Sequence, residues 1–165
     1  MVKKIRGRVI KLGDNIDTDV IYPGRYLPII DAEEMAEHAL EGIDPEFPQR
    51  IREGDIIVAG KNFGCGSSRE QAATCLKAAG IAAVVAGSFS RIFYRNGINQ
   101  GLPIITSGEA DQSIQNGDEI EIDFSSGSIV LNDGGTLAFR EFPDFIFSIL
   151  DAGGLIPYVK QKIAQ

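Results

Sequence analysis

The stretch Ile56-Ile57-Val58-Ala59-Gly60-Lys61-Asn62-Phe63-Gly64-Cys65-Gly66-Ser67-Ser68-Arg69-Glu70 runs from strand through loop into helix. Its first four residues are continuously apolar, the pattern of a strand buried on both faces. Beyond the glycine-rich loop, Ala72, Cys75, Leu76 and Ala79 recur at helical spacing across residues 69–79, and Gly80 ends that helix. Residues 81–86 predict a second buried strand, residues 88–99 a helix weakened by Gly97, and residues 102–106 a third strand. A β-α-β-α-β series with links this short predicts parallel strands joined by right-handed crossovers.

On the N-terminal side, residues 3–12 read as a strand. Lys4, Arg6 and Arg8 alternate with Ile5, Gly7 and Val9 there, which predicts a solvated face rather than an anion patch. A polar loop follows over residues 13–19, and Pro23, Gly24 and Pro28 keep residues 22–28 irregular. Asp31, with Glu34 in the reciprocal capping-box position, opens a helix over residues 32–40. Its apolar stripe is Ala32, Met35, Ala36, Ala39 and Leu40; His38 lies off it and is expected at the surface, without a catalytic role. Pro45 and Pro48 confine residues 44–50 to a short turn or helix. On the C-terminal side, residues 119–124, 128–131 and 136–139 read as an antiparallel meander packed beside the α/β core. Pro143 begins a helix that ends at Gly153-Gly154, and residues 158–163 form a short terminal helix. The expected fold class is α/β: one domain over residues 1–165, with a parallel core and an antiparallel meander.

Composition narrows the function. At 165 residues and 44% hydrophobic, the chain can bury a sizeable core. It holds no apolar run near the roughly 18 residues of a membrane helix. Met1-Val2-Lys3-Lys4-Ile5 carries charge without an apolar segment behind it, so no signal peptide is expected and the cytoplasm is the default. A net charge of −7 opposes nonspecific nucleic-acid binding, although a few converging arginines could still hold a small anion. Two cysteines without CxxC spacing and one histidine predict no metal site in this chain.

The loop after residue 60 is the chemical candidate, at the carboxyl end of a parallel strand where α/β folds bind ligands. Gly64 and Gly66 permit positive φ and close approach of a ligand. Ser67 and Glu70 have capping-box spacing, which predicts that Ser67 starts the helix. Free amides at that helix end, with the Arg69 fork beside them, suit a carboxylate. Residue types alone equally describe a well-capped helix after a flexible loop. Phosphate-loop patterns fail, because Arg69 stands where a third glycine would be needed and Asn62 follows Lys61.

Motif order adds more than spacing does. Gly64–Glu70 resembles the Gly-x-Gly-Ser-Ser-Arg-Glu signature of the aconitase superfamily's swivelling domain. Asn15-Ile16-Asp17-Thr18-Asp19 with Pro23-Gly24-Arg25-Tyr26-Leu27 is similar to the N-terminal signature of that domain's free-standing form. Ser88–Asn96 followed by Asn99-x-Gly101-Leu102-Pro103 resembles its third landmark. The resemblance spans the chain, and its length matches the small subunits of isopropylmalate isomerases and homoaconitases. It implies a swivelling-domain-like β/α barrel and a hydro-lyase subunit that works only with a large subunit, as a heterodimer or heterotetramer. The [4Fe–4S] cluster would reside in that large subunit.

The resemblance also implies residue roles. Ser67 would be the catalytic base, Ser68 and Arg69 would hold a substrate carboxylate, and Gly64, Gly66, Asp17, Thr18 and Asp19 would support the loop. Arg25, Leu27, Pro28 and Ile29 would contact substrate, with residues 25–30 reading its variable end. Pro28, Ile29 and Ile30 are apolar, which suits an isopropyl group and hence the 2-isopropylmalate/3-isopropylmalate pair. A homoaconitase-type subunit and a noncatalytic anion-binding module are the alternatives. The family pattern usually continues Arg-Glu-His, whereas Gln71 stands here, which leaves any role of that histidine without a counterpart. Cys65 reads as a bystander in the loop and Cys75 as core.

Overall fold

The computed structural model describes residues 3–165, so the N-terminal reading at Met1 and Val2 lies outside the described residues. Seven strands, β1 (Lys4–Lys11), β2 (Ile56–Ala59), β3 (Ala83–Ala86), β4 (Ile104–Thr106), β5 (Glu119–Asp123), β6 (Ser128–Val130) and β7 (Thr136–Ala138), make one mixed sheet. Their order is β4-β3-β2-β1-β5-β6-β7. Strands β1 to β4 pair in parallel, while β5, β6 and β7 run antiparallel outward from β1. The expected parallel core and meander are therefore one continuous curled sheet, a half-barrel with β1 at the junction.

Alternation along the strands shows why the central ones are apolar throughout. Ile57 and Ala59 of β2 enter one core layer, together with Val84 and Ile104. Ile56 and Val58 enter the opposite layer with Val85 and Ile105. Helices α4 (Glu70–Ala78), α5 (Arg91–Asn99) and α7 (Asp144–Ala152) cover the first layer, to which Ala72, Leu76, Phe93 and Ile149 contribute. The second layer is closed by the curl of the meander through Ile120, Ile122, Phe124 and Ile129, and by Ala110 of α6 (Ala110–Ser113). On β1, Lys4 and Arg6 pair with Glu121 and Glu119 of β5, and Arg8 forms a fork with buried Asp55. Alternating charge here is a set of cross-strand pairs, in keeping with a solvated face.

Several boundaries move. The helix expected over residues 32–40 stops early, as α2 (Ala32–Ala36). Leu40 takes a positive φ of 60°, and its N–H donates to the Ile21 carbonyl at 2.8 Å, so the chain folds back instead of continuing as helix. A fully buried leucine in that conformation carries no signal in sequence. His38 is consequently not at the surface as expected. It is half-buried, stacked on Tyr26 at 3.6 Å between ring centroids, with Nδ1 2.6 Å from Glu41 Oε2. Helix α1 (Thr18–Ile21), inside the polar loop, is nucleated by Asp17, whose carboxylate accepts from the Val20 N–H at 2.8 Å. Helices α3 (Phe47–Arg50) and α8 (Leu155–Ile163) complete the described helices.

Candidate active-site loop

Residues 60–69 connect β2 to α4, and two other segments hold them from either side. On one side, Lys61 O accepts from the Asn15 N–H, Ile16 O from the Gly64 N–H, and Cys65 O from the Thr18 N–H, all within 2.8 Å. On the other side, the Asn62 N–H donates to Ser88 Oγ and Ser90 Oγ donates to the Gly64 carbonyl, both at 2.8 Å. Phe63, Phe89 and Phe93 pack edge-on and stacked beneath the loop. The three sequence landmarks, separated along the chain, thus meet at one place.

Two glycines are required by that arrangement. Gly64 has φ 80°, and a Cβ there would stand 2.3 Å from Cβ of Phe93. Gly66 has φ 97° and lies against Thr18, where a Cβ would come within 3.3 Å of Oγ1. Both conformations disfavour any side chain, and the Phe93 clash adds overpacking at Gly64.

The expected Ser67 cap is absent. Helix α4 begins at Glu70, with extended Arg69 (φ −133°, ψ 106°) at its N-cap and no side-chain cap bond. A capping box would pair Ser67 Oγ with the Glu70 N–H and the Glu70 carboxylate with the Ser67 N–H, and neither bond forms. Arg69 Nη1 donates to Asp19 Oδ1 at 2.8 Å and to the Tyr22 carbonyl at 3.0 Å, holding Arg69 extended toward α1. Glu70 Oε1 accepts from Gln100 Nε2 rather than reaching back to Ser67. Ser67 and Ser68 are therefore left exposed, and neither hydroxyl has a protein partner among the described residues. The amides of residues 66–69 likewise find no protein acceptor among the described residues. Uncommitted donors and two hydroxyls cluster at the N-terminus of a nine-residue helix, the arrangement that attracts an anion.

Arg69 is anchored, not free. Both of its bonds leave from Nη1, and the Gly24 turn passes beside the other edge, where a Cβ on Gly24 would stand 3.2 Å from Nη2. Asp19 also accepts from the Gly24 N–H at 2.9 Å, so one carboxylate ties the arginine to that turn. The Arg69 hydrogen bond, then the Gly24 N–H, hold the Asp19 carboxyl below its ordinary range.

Residues 24–30 are only partly placed as the sequence suggests. Gly24–Tyr26 form a 3-10 turn whose last bond is the Leu27 N–H to the Gly24 carbonyl. Leu27 and Pro28 are exposed, and Ile30 is 94% exposed, whereas Ile29 packs partly against the core. Arg25 is engaged with Glu41 and Tyr26. Its Nη2 donates to Glu41 Oε1 at 3.1 Å and its guanidinium lies over the Tyr26 ring. Sequence reasoning missed Tyr26, His38 and Glu41, which surround this turn, because they follow no shared periodicity. Cys75 is fully buried and burial pushes its thiol well up, which makes it inert core; Cys65 is half-buried in the loop. Among the described residues no group of His, Cys, Asp and Glu could hold a metal. These residues do not fit an iron–sulfur cluster.

Comparison with known proteins fits this geometry. The model of the aconitase C-terminal domain family matches residues 15–109, the span that holds all three landmarks. The 3-isopropylmalate dehydratase small subunit 1 of Methanopyrus kandleri is 55% identical, over 96% of this chain and 94% of its own. The chain belongs to the aconitase C-terminal domain family, among its 3-isopropylmalate dehydratase small subunits. The isopropylmalate/citramalate isomerase small subunit of Methanocaldococcus jannaschii is 51% identical over 98% of this chain and 96% of its own. A crystal structure of 3-isopropylmalate dehydratase from the same organism superposes with a TM-score of 0.92 at 48% identity, covering 98% of this chain and 96% of that one. Members of this small-subunit group act with a large subunit, which carries the cluster.

Proposed function

We propose that the chain is the base-supplying subunit of a hydro-lyase interconverting 2-isopropylmalate and 3-isopropylmalate in leucine biosynthesis, at work in the cytoplasm once closed onto its large subunit. The observation that carries this reading is the exposed Ser67-Ser68-Arg69 edge, with its hydroxyls and amides uncommitted and its arginine braced, in a chain so close to small subunits of that name. Ser67 removes the proton from the carbon next to a substrate carboxylate. The C–H electron pair becomes the new C=C bond as hydroxyl leaves the neighbouring carbon, and water returns with the opposite regiochemistry. Ser68, Arg69 and the loop amides hold the carboxylate.

A serine hydroxyl is too weak an acid to be ionised in water at neutral pH. An alkoxide on Ser67 would draw on the α4 N-terminus, the amides of residues 66–69 and the Arg69 charge. Their effect grows once water is excluded, and an exposed loop needs a second protein surface for that. Assistance to the departing hydroxyl falls to the large subunit.

Leu27 and Pro28 are exposed just after the turn whose Gly24 lies against Arg69, and apolar side chains there favour an alkyl substituent over a further carboxylate. The Methanocaldococcus jannaschii relative's name pairs isopropylmalate with citramalate, whose substituent is a methyl group, so both alkylmalates are candidate substrates. The test is an assay of the reconstituted pair against alkylmalates and tricarboxylates, where the alkylmalates should have the higher kcat/KM. In the same assay Pro28→Arg should move the ratio of kcat/KM toward the tricarboxylates by about tenfold or more, the scale of one charge-assisted hydrogen bond. An unchanged ratio would remove the turn from specificity and leave the alkylmalate assignment resting on the relatives.

A further inference from the structure

Glu41 gathers three donors from the segment next to the candidate site. Its Oε1 accepts from Tyr26 Oη at 2.5 Å and from Arg25 Nη2 at 3.1 Å, while Oε2 accepts from His38 Nδ1 at 2.6 Å. The carboxylate side chain is only 12% exposed, which for an acid requires such compensation. Burial alone would raise its pKa; the hydrogen bonds from Tyr26, His38 and Arg25 outweigh burial and hold it below the ordinary range. An ionised carboxylate is an acceptor only, so all three contacts persist together. The His38 ring closes the cluster by stacking on Tyr26, and Tyr22 Oη donates to the Tyr26 carbonyl at 2.6 Å.

From that point charge alternates toward the loop. Glu41 binds Arg25, the Arg25 charge helps lower the Asp19 carboxyl, and Asp19 binds Arg69. The Gly24–Tyr26 turn lies in the middle, tied to Asp19 by its Gly24 N–H and to Glu41 by the Arg25 and Tyr26 side chains.

We propose that Glu41 is a positioning residue, which fixes the Arg25-Tyr26 turn against Asp19 and Arg69 so that the substrate meets a preformed surface. This rests on the reading of the Ser67–Arg69 edge as the active site. Glu41 lies outside the reacting atoms, so its loss disturbs binding before chemistry.

The deciding variant is Glu41→Gln, which keeps size but leaves an amide N–H₂ facing donors. In the full chain reconstituted with its large subunit, KM for 3-isopropylmalate should rise about tenfold with kcat changed less than about threefold, since misplacing a binding surface costs on this scale. In the 17.8 kDa chain, NMR amide exchange at Leu27 and Ile29 should quicken about tenfold or more while Thr18 and Gly64 keep their protection. Should Glu41→Gln fail to assemble, Tyr26→Phe removes one donor and should give the same split at about threefold. An unchanged KM overturns the proposal, as does a fall in kcat at constant KM. So does faster exchange spread equally over Thr18 and Gly64, the mark of a general loss of structure. Full turnover by Ser67→Ala would defeat the site reading instead, and the KM of Glu41→Gln would still decide whether Glu41 positions substrate.

Discussion

Ser67→Ala, reconstituted with the large subunit, loses kcat by roughly 10²–10⁴-fold with KM changed much less, the usual scale for removal of a general base. Stability is the control. Ser67 is exposed, makes no protein hydrogen bond among the described residues and does not cap α4, so the variant's unfolding free energy stays within about 0.5 kcal/mol of the parent. The capping box read from Ser67 and Glu70 would have confounded this experiment, because losing a cap costs about 0.5–2 kcal/mol. With the cap absent, lost activity reports on chemistry alone. Unchanged denaturant midpoints beside steady-state kinetics on the same preparation separate the two, and near-parent kcat would make Ser67 a bystander.

The purified chain by itself binds no iron and shows no hydro-lyase activity, and activity appears on mixing with a cluster-loaded large subunit. Ligand arithmetic supports the first half. A [4Fe–4S] cluster takes four thiolates, whereas this chain has two cysteines, one of them buried with its thiol pushed up and inert. The open position of Ser67 and Ser68 supports the second half, since an alkoxide in bulk water gains little from the Arg69 charge. Iron analysis and an absorbance spectrum of the isolated chain, followed by titration with large subunit, check both. A brown, active preparation of the chain alone would contradict them.

Much of the fold was legible because burial on both faces leaves a plain mark. Residues 56–59 and 83–86 are apolar at every position, and β2 and β3 feed both core layers through alternate residues. Acidic alternation in residues 119–123 likewise marks β5, with one wet face. What stayed hidden depends on contacts far apart in the chain. Leu40 adopts positive φ because the chain must return to Ile21, and only that return brings His38 and Glu41 beneath Tyr26. In the candidate site, the local signal at Ser67 and Glu70 was overridden by distant partners: Asp19 and Tyr22 for Arg69, Gln100 for Glu70. The same contacts that defeat the cap leave Ser67 uncommitted.

The central claim is that Ser67 breaks the carbon–hydrogen bond, and isotope transfer tests it without relying on overall turnover. 3-Isopropylmalate deuterated at the carbon bearing the isopropyl group is supplied at saturating concentration to the reconstituted parent enzyme and to the reconstituted Ser67→Ala enzyme. Loss of deuterium from that carbon is followed by mass spectrometry. Cleavage of the carbon–deuterium bond should slow by roughly 10²–10⁴-fold in the Ser67→Ala enzyme, with the substrate dissociation constant little altered. Deuterium loss at the parent rate in that variant would show that another group takes the proton.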